Sequence, residues 1–486
     1  MNDLHLACGP LGEPVAVDYL RVLRSELPTV LGPELTSDRA RGVLDMAMSL
    51  LDHLIARDGA LHDALVHREE GSADGLKLLS QLIDAKIIEK SADHNNCEKL
   101  ENSVASTIKL LPELTGKERT QAVSALQKIV QSEHQFLKAI GICEEAMVKN
   151  ENSKSDEFVT VQKIEAYLQR HAVDGLPLSV VDIGSPLGGY SKDVFIVQLA
   201  GSGRPADTIV IRHDLPGGPL ESSVVDEYGV LKAMHEAGIP VAQPLWVETD
   251  PSHFGGPALA LEFVSGESPT DYRANIQSGD MVGHMLQLAR IMAQVHRVEP
   301  AAAGITQSDI SVADHIEGLL DRFEQQWMRR REVPNSVIAG GLAWMRLHIP
   351  RDDTAAVIVH GDCSLRNLLF DSGHATALLD WETWHIGDPA EDLAYCREEV
   401  EEIMPWEDFM AEYRAAGGPN ISEERLQYWL LWRYLRGAIT SISMLNAVSN
   451  ADDQTDVKTA FGGVFFTRYC LTKVAEQMGG LLEGAR

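Results

Sequence analysis

The residues best suited to chemistry lie in the run His360-Gly361-Asp362-Cys363-Ser364-Leu365-Arg366-Asn367 and, further on, in Asp380-Trp381-Glu382. Asp362 offers a carboxylate that can accept a proton from a hydroxyl. Asn367, five residues on, and Asp380, thirteen further, offer oxygens of the kind that hard divalent cations select. A proton acceptor beside two oxygen ligands suits phosphoryl transfer, which asks for positioning and charge neutralisation more than covalent chemistry. The apolar run from Ala355 to Val359 reads as a buried strand feeding the first cluster. Leu368-Leu369-Phe370 and Ala377-Leu378-Leu379, joined by Asp371-Ser372-Gly373-His374, predict a hairpin that returns Asp380 to the side of Asn367.

The whole pattern, H-G-D-x4-N, a hairpin, D-W-E and then Gly387-Asp388-Pro389, is far more specific than an HGD tripeptide. Protein kinases read H-R-D and D-F-G at the corresponding places. This chain instead resembles the aminoglycoside phosphotransferase and choline kinase group of small-molecule kinases, in particular the phosphotransferase domain fused to some acyl-CoA dehydrogenases. The resemblance covers residues 157–486. It implies a bilobal, protein-kinase-like α+β fold, ATP and Mg2+ as cofactors, Asp362 as catalytic base, and Asn367 and Asp380 as metal ligands. His360 reads as an orienting hydrogen-bonder, Asp388 and Asp392 as supports of the loop, and His385 as a loop surface residue.

Upstream, strand-like runs at 179–183, 194–199 and 208–212 surround Pro186-Leu187-Gly188-Gly189-Tyr190-Ser191-Lys192. A glycine pair in a hairpin lets backbone N–H groups approach phosphates. Gly188, Gly189, Tyr190 and Ser191 are therefore candidate nucleotide contacts. Members of the resembled family commonly read G-G-x-S-N here, so Lys192 departs from the pattern. The fold also needs a cation on its third strand to hold phosphates; Arg212 is the candidate, since an arginine can grip phosphate oxygens through two parallel N–H bonds. Its carboxylate partner is expected to be Glu227, or else Asp226, on a helix over 223–236. The run 257–266 resembles the hinge between kinase lobes, where backbone groups near Glu262 and Val264 would bind adenine.

Composition bounds the rest. The chain has 486 residues, too long for one typical domain, and a net charge of −30. That charge argues against nucleic acid and membranes as partners, since both need a basic footprint; it reads as solubility or as an acidic cleft for a cationic substrate. Six scattered cysteines form no C-x-x-C pair, and no secretory signal or membrane span is evident, so a cytoplasmic setting is expected. Eleven of fifteen lysines lie in residues 1–175 and all eight tryptophans lie beyond. This shift, with the polar run 149–156, predicts a helical bundle over 1–155 separate from the rest; the resemblance divides the rest into a nucleotide lobe over 156–267 and a catalytic lobe over 268–486. The helical region, including a helix over about 37–57, offers a surface for homo-oligomer formation. The expected activity is ATP- and Mg2+-dependent transfer to a small-molecule alcohol. An aminoglycoside-type resistance kinase and a catalytically silent nucleotide-binding scaffold are the alternatives.

Overall fold

A computed structural model describes residues 23–25, 27–28, 31–32, 38–82, 96–139, 160–171, 179–184, 192–200, 208–214, 222–269, 279–301, 311–331, 334–352, 354–449 and 457–484. Gly188, Gly189, Tyr190, Ser191 and the 149–156 linker lie outside these described residues. The chain divides into two compact units, neither continuous in sequence. One comprises Met1–Glu151, Leu320–His348 and Tyr434–Arg486; the other comprises Asn152–Leu319 and Ile349–Arg433.

In chain order the main helices are α1 (Asp38–Leu82), α2 (Asn96–Leu110), α3 (Gly116–Ala139), α4 (Val161–His171), α5 (Val224–Glu236), α6 (Gly279–His296), α7 (Val312–Arg330), α8 (Ser336–Leu347), α9 (Ala390–Ile403), α10 (Trp406–Ala415), α11 (Glu423–Ser449) and α12 (Val457–Gly484). The first unit is helical. The apolar stripe of α3 places Val123, Leu126 and Ile129 in its core, joined by Leu79 and Ile108. Helix α1 runs 45 residues, far past the expected end near 57. Its later glycines punctuate the sequence but serve close packing: a Cβ at Gly75 would sit 2.4 Å from Ile129 Cγ1, and one at Gly71 2.7 Å from Ser132 Oγ. Segments 320–348 and 434–486, which the resemblance assigned to the catalytic lobe, group with these helices. The cause is contact between segments hundreds of residues apart, such as Gly340 against Val104 and Ile108. No periodicity within one segment reports that.

The second unit holds a five-stranded antiparallel sheet in the order β1-β2-β3-β5-β4, with β1 Ser179–Gly184, β2 Lys192–Ala200, β3 Thr208–Asp214, β4 Pro244–Glu248 and β5 Ala258–Glu262. Period-2 alternation along β3 buries Ile209 and Ile211 against Phe195, Val197 and Ile164, and turns Arg212 to the other face. Ser223 caps α5 by accepting from Val225 N, and Asp226 and Glu227 follow in its first turn, where the helix dipole favours acids. The helix stops at Gly238, φ 78°, with Ile239 N bonded to Met234 O, a Schellman arrangement.

Further along the same unit, β6 (Val357–Val359) pairs with β9 (His385–Gly387), and β7 (Leu368–Asp371) with β8 (His374–Leu378). Both central residues of the β7–β8 turn, Ser372 and Gly373, take positive φ, as mirror-image hairpin turns require. Among the described residues, no helix is long and apolar enough to cross a membrane.

Candidate active site

The loop after β6 is held by backbone contacts before any side chain acts. Asp392, buried on α9, accepts from His360 N at 2.9 Å and Gly361 N at 2.7 Å. Glu399, two turns along the same helix, accepts from Leu365 N at 3.0 Å. Burial alone would raise the Asp392 carboxyl. The hydrogen bond and charge of His296 and the His360 backbone N–H outweigh it and hold the group below its ordinary value. His296 meets Asp392 Oδ2 through Nε2 at 3.0 Å and Tyr413 Oη through Nδ1 at 2.7 Å. Gly361 takes φ 80°, and a Cβ there would lie 2.6 Å from Thr383 O.

His360 is an orienting group, as its sequence context suggests. Its Nδ1 accepts from Asp362 N at 3.2 Å, which leaves Nε2 to donate to Leu379 O at 2.9 Å. Asn367 Nδ2 donates to Asp362 O at 2.8 Å, so its Oδ1 stays available as an oxygen ligand. Leu379 N donates to Asn367 O at 2.7 Å. The hairpin thus sets Asp380 beside Asn367. Asp380 itself lies in left-handed backbone space, φ 65° and ψ 60°, costly for a non-glycine residue.

Arg212 reaches this cluster from β3. Its Nη2 lies 2.9 Å from Asp380 Oδ1, 3.5 Å from Glu227 Oε2 and 3.8 Å from Glu382 Oε2. Burial opposes the Arg212 charge, but Glu227, Asp380 and Glu382 together push its pKa up. The Glu227 carboxyl is raised by burial, against the pull of Arg212. Among the two helix carboxylates weighed in sequence, Glu227 is the one that faces the arginine. Arg212 Nε and both Glu227 oxygens make no hydrogen bond.

Glu262 ends β5, and its N–H is taken by Gln243 O at 2.9 Å. Val264 lies two residues beyond, half-buried. The same segment then crosses to the catalytic loop: Glu267 bridges Phe370, and Ser268 Oγ donates to Arg366 O at 2.6 Å. Among the described residues, no group of three or more His, Cys, Asp or Glu side chains is placed to hold a metal.

Several contributors escaped the sequence reading. Glu382 sat inside the D-W-E motif without a role. Glu399 had a usable signal, its seven-residue spacing from Asp392 on one helix face. Ser268 had none. His385, expected at the surface, is half-buried, with Nε2 3.0 Å from Glu391 Oε2 and its ring stacked on His315. Asp388 is fully buried and accepts from Trp429 Nε1 at 2.7 Å and Arg425 Nε at 2.6 Å, which makes it a support of the loop, as expected.

The sequence pattern of the phosphotransferase enzyme family matches residues 183–437. Mouse acyl-CoA dehydrogenase family member 10 is 26% identical over 213 residues, 43% of this chain and 19% of that protein. Mouse acyl-CoA dehydrogenase family member 11 is 24% identical over 246 residues, 48% of this chain and 30% of that protein. The matches therefore span less than a third of these relatives. A Ralstonia eutropha structure, provisionally described as an aminoglycoside phosphotransferase, superposes with a TM-score of 0.51 at 22% identity, covering 66% of this chain and 98% of that one. At that identity the likeness is one of fold.

Proposed function

Because this chain belongs to the phosphotransferase enzyme family, we propose that it transfers the γ-phosphate of ATP, with Mg2+, to a hydroxyl of a small molecule. The carrying observation is Asp380: a carboxylate kept in left-handed backbone space, 2.9 Å from Arg212 and tied by the hairpin to Asn367. Strain of that kind persists where surrounding structure over-determines it, and it clusters at functional sites. A silent scaffold would have no use for it.

Asp362, its backbone fixed by His360 and Asn367, would orient the acceptor hydroxyl and take its proton. Arg212, steadied by Glu227, would hold phosphate oxygens through its remaining N–H groups. The glycine pair at 188–189 and the backbone around Glu262 and Val264 would contact the nucleotide. Asp380 and the free Oδ1 of Asn367 fit Mg2+, which takes one or two protein carboxylates and completes its shell with water and phosphate. When bound, that ion would neutralise charge on the phosphates.

The test is Asp362→Ala, assayed by ATP consumption against panels of hydroxylated acceptors. We expect kcat to fall by at least about 10²-fold, the low end of general acid–base contributions, with little change in ATP affinity. A loss confined to the KM for ATP would move Asp362 into the nucleotide site.

A further inference from the structure

Lys192 is a buried cation that nothing above employs. Its side chain is 4% exposed, at the first position of β2 and directly opposite Asp214 in the strand register. A buried ammonium is costly unless paired and hydrogen-bonded. Here Nζ donates to Asp214 Oδ1 at 2.7 Å and to Ser222 O at 2.5 Å. Asp214 in turn accepts from Ser223 Oγ through Oδ2 at 2.6 Å and from Val224 N through Oδ1 at 3.1 Å. Ser223 is the N-cap of α5. One lysine therefore ties the end of β3 to the start of that helix.

The same two elements carry the phosphate-holding pair. Asp214 lies two residues past Arg212 on β3, hence on the same face. Glu227 lies four residues past Ser223, in the first turns of α5. We infer that Lys192 and Asp214 are positioning residues, a buried ion pair that pins the start of α5 and so holds Glu227 against Arg212. The electrostatics agree with this placement. Burial raises the Glu227 carboxyl, Arg212 lowers it, Asp380 raises it, and then Lys192 and Asp214 add opposing contributions. Asp214 is itself held below its ordinary value: burial works against its charge, and Lys192, Ser223 and Val224 overcome that. The first turn of α5 has a second anchor, Trp384 Nε1 donating to Asp226 O at 3.2 Å. With the cap released, the turn that carries Glu227 would be free to pivot about it.

The inference rests on the proposed nucleotide site, and its test separates the two. In the full-length double variant Lys192→Met/Asp214→Asn both charges go together, so no unpaired charge is left buried. The amide introduced at position 214 can still accept from Val224 N, and what is lost is the pair of bonds from Lys192 to Asp214 and to Ser222 O. Thermal unfolding and titration with magnesium–AMP-PNP are measured on this variant, on wild type and on Lys232→Met, an exposed lysine of the same helix. We expect the double variant to keep a thermal midpoint near wild type and to bind nucleotide about tenfold more weakly, with the acceptor KM unchanged and Lys232→Met matching wild type. Wild-type nucleotide affinity in the folded double variant overturns the inference and leaves the nucleotide site standing. A double variant that fails to fold also overturns it, since the pair would then be a structural staple. Wild-type protein that binds no magnesium–AMP-PNP overturns both readings.

Discussion

In the helical unit, buried charge bridges helices one against one: Arg68 Nε meets Glu133 Oε2 at 2.6 Å from α1 to α3, and Arg331 meets Glu101 beside Trp327 Nε1, which donates to the same carboxylate at 3.1 Å. In the kinase-like unit Arg212, 12% exposed, faces three carboxylates on two elements. A one-to-one pair offsets its own desolvation and holds two helices in register. A three-to-one cluster carries surplus negative charge, and with the oxygens of Asn367 and Asp380 it suits a cation that arrives with its phosphates. The contrast teaches where to look for chemistry: at buried charge left unbalanced, more than at buried charge as such.

The largest expected effect breaks the cluster. Arg212→Met leaves three acids without their cation and should cost about 3–5 kcal/mol of unfolding free energy, read by denaturant melts, with nucleotide affinity lost as well. Arg68→Met in the helical unit should cost about 1–3 kcal/mol and leave nucleotide affinity at its wild-type value. If both variants weakened nucleotide binding, the separation between structural pairs and a functional cluster would collapse.

A smaller effect tests the loop. Gly361→Ala places a side chain at φ 80° and 2.6 Å from the Thr383 carbonyl oxygen, and should destabilise by about 1–3 kcal/mol. Unchanged stability would show that the loop can shift to accept a Cβ.

The smallest concerns acid. Asp392 is held below its ordinary pKa, so the unfolded chain binds its proton more readily. Its contribution is fully present above the unfolded value of about 3.9 and is lost as pH falls through the lower folded value, at about 1.4 kcal/mol per unit of difference. Asp392→Asn should therefore flatten the acid limb of stability against pH. An acid limb as steep as that of wild type would assign the acid sensitivity to other carboxylates.

What sequence revealed follows from how local each signal is. The β7–β8 hairpin and the stop of α5 at Gly238 were legible because turn chemistry and capping act over a few residues, whereas the pairing of Arg212 with Glu227 was expected only from the family resemblance. Tyr428, Trp429, Trp432 and Tyr434, which recur at helical spacing, are buried, while Trp406 is half-buried. Grouping of 320–348 and 434–486 with the first helices was invisible, since it rests on contacts between distant segments, and the length of α1 was masked by glycines that serve packing. Glu382 and Ser268 needed the fold itself to bring them to Arg212 and to the catalytic loop.

The most direct measurement is magnesium-dependent turnover by Asp380→Asn, taken alongside its circular dichroism and thermal midpoint. If the charge cluster around Arg212 serves phosphoryl transfer, the variant should stay folded and lose turnover by at least about 10²-fold even at saturating magnesium, because an amide is a poor substitute for a carboxylate on a hard cation. Near wild-type turnover by a folded Asp380→Asn protein would contradict that reading and return the cluster to the class of structural ion pairs.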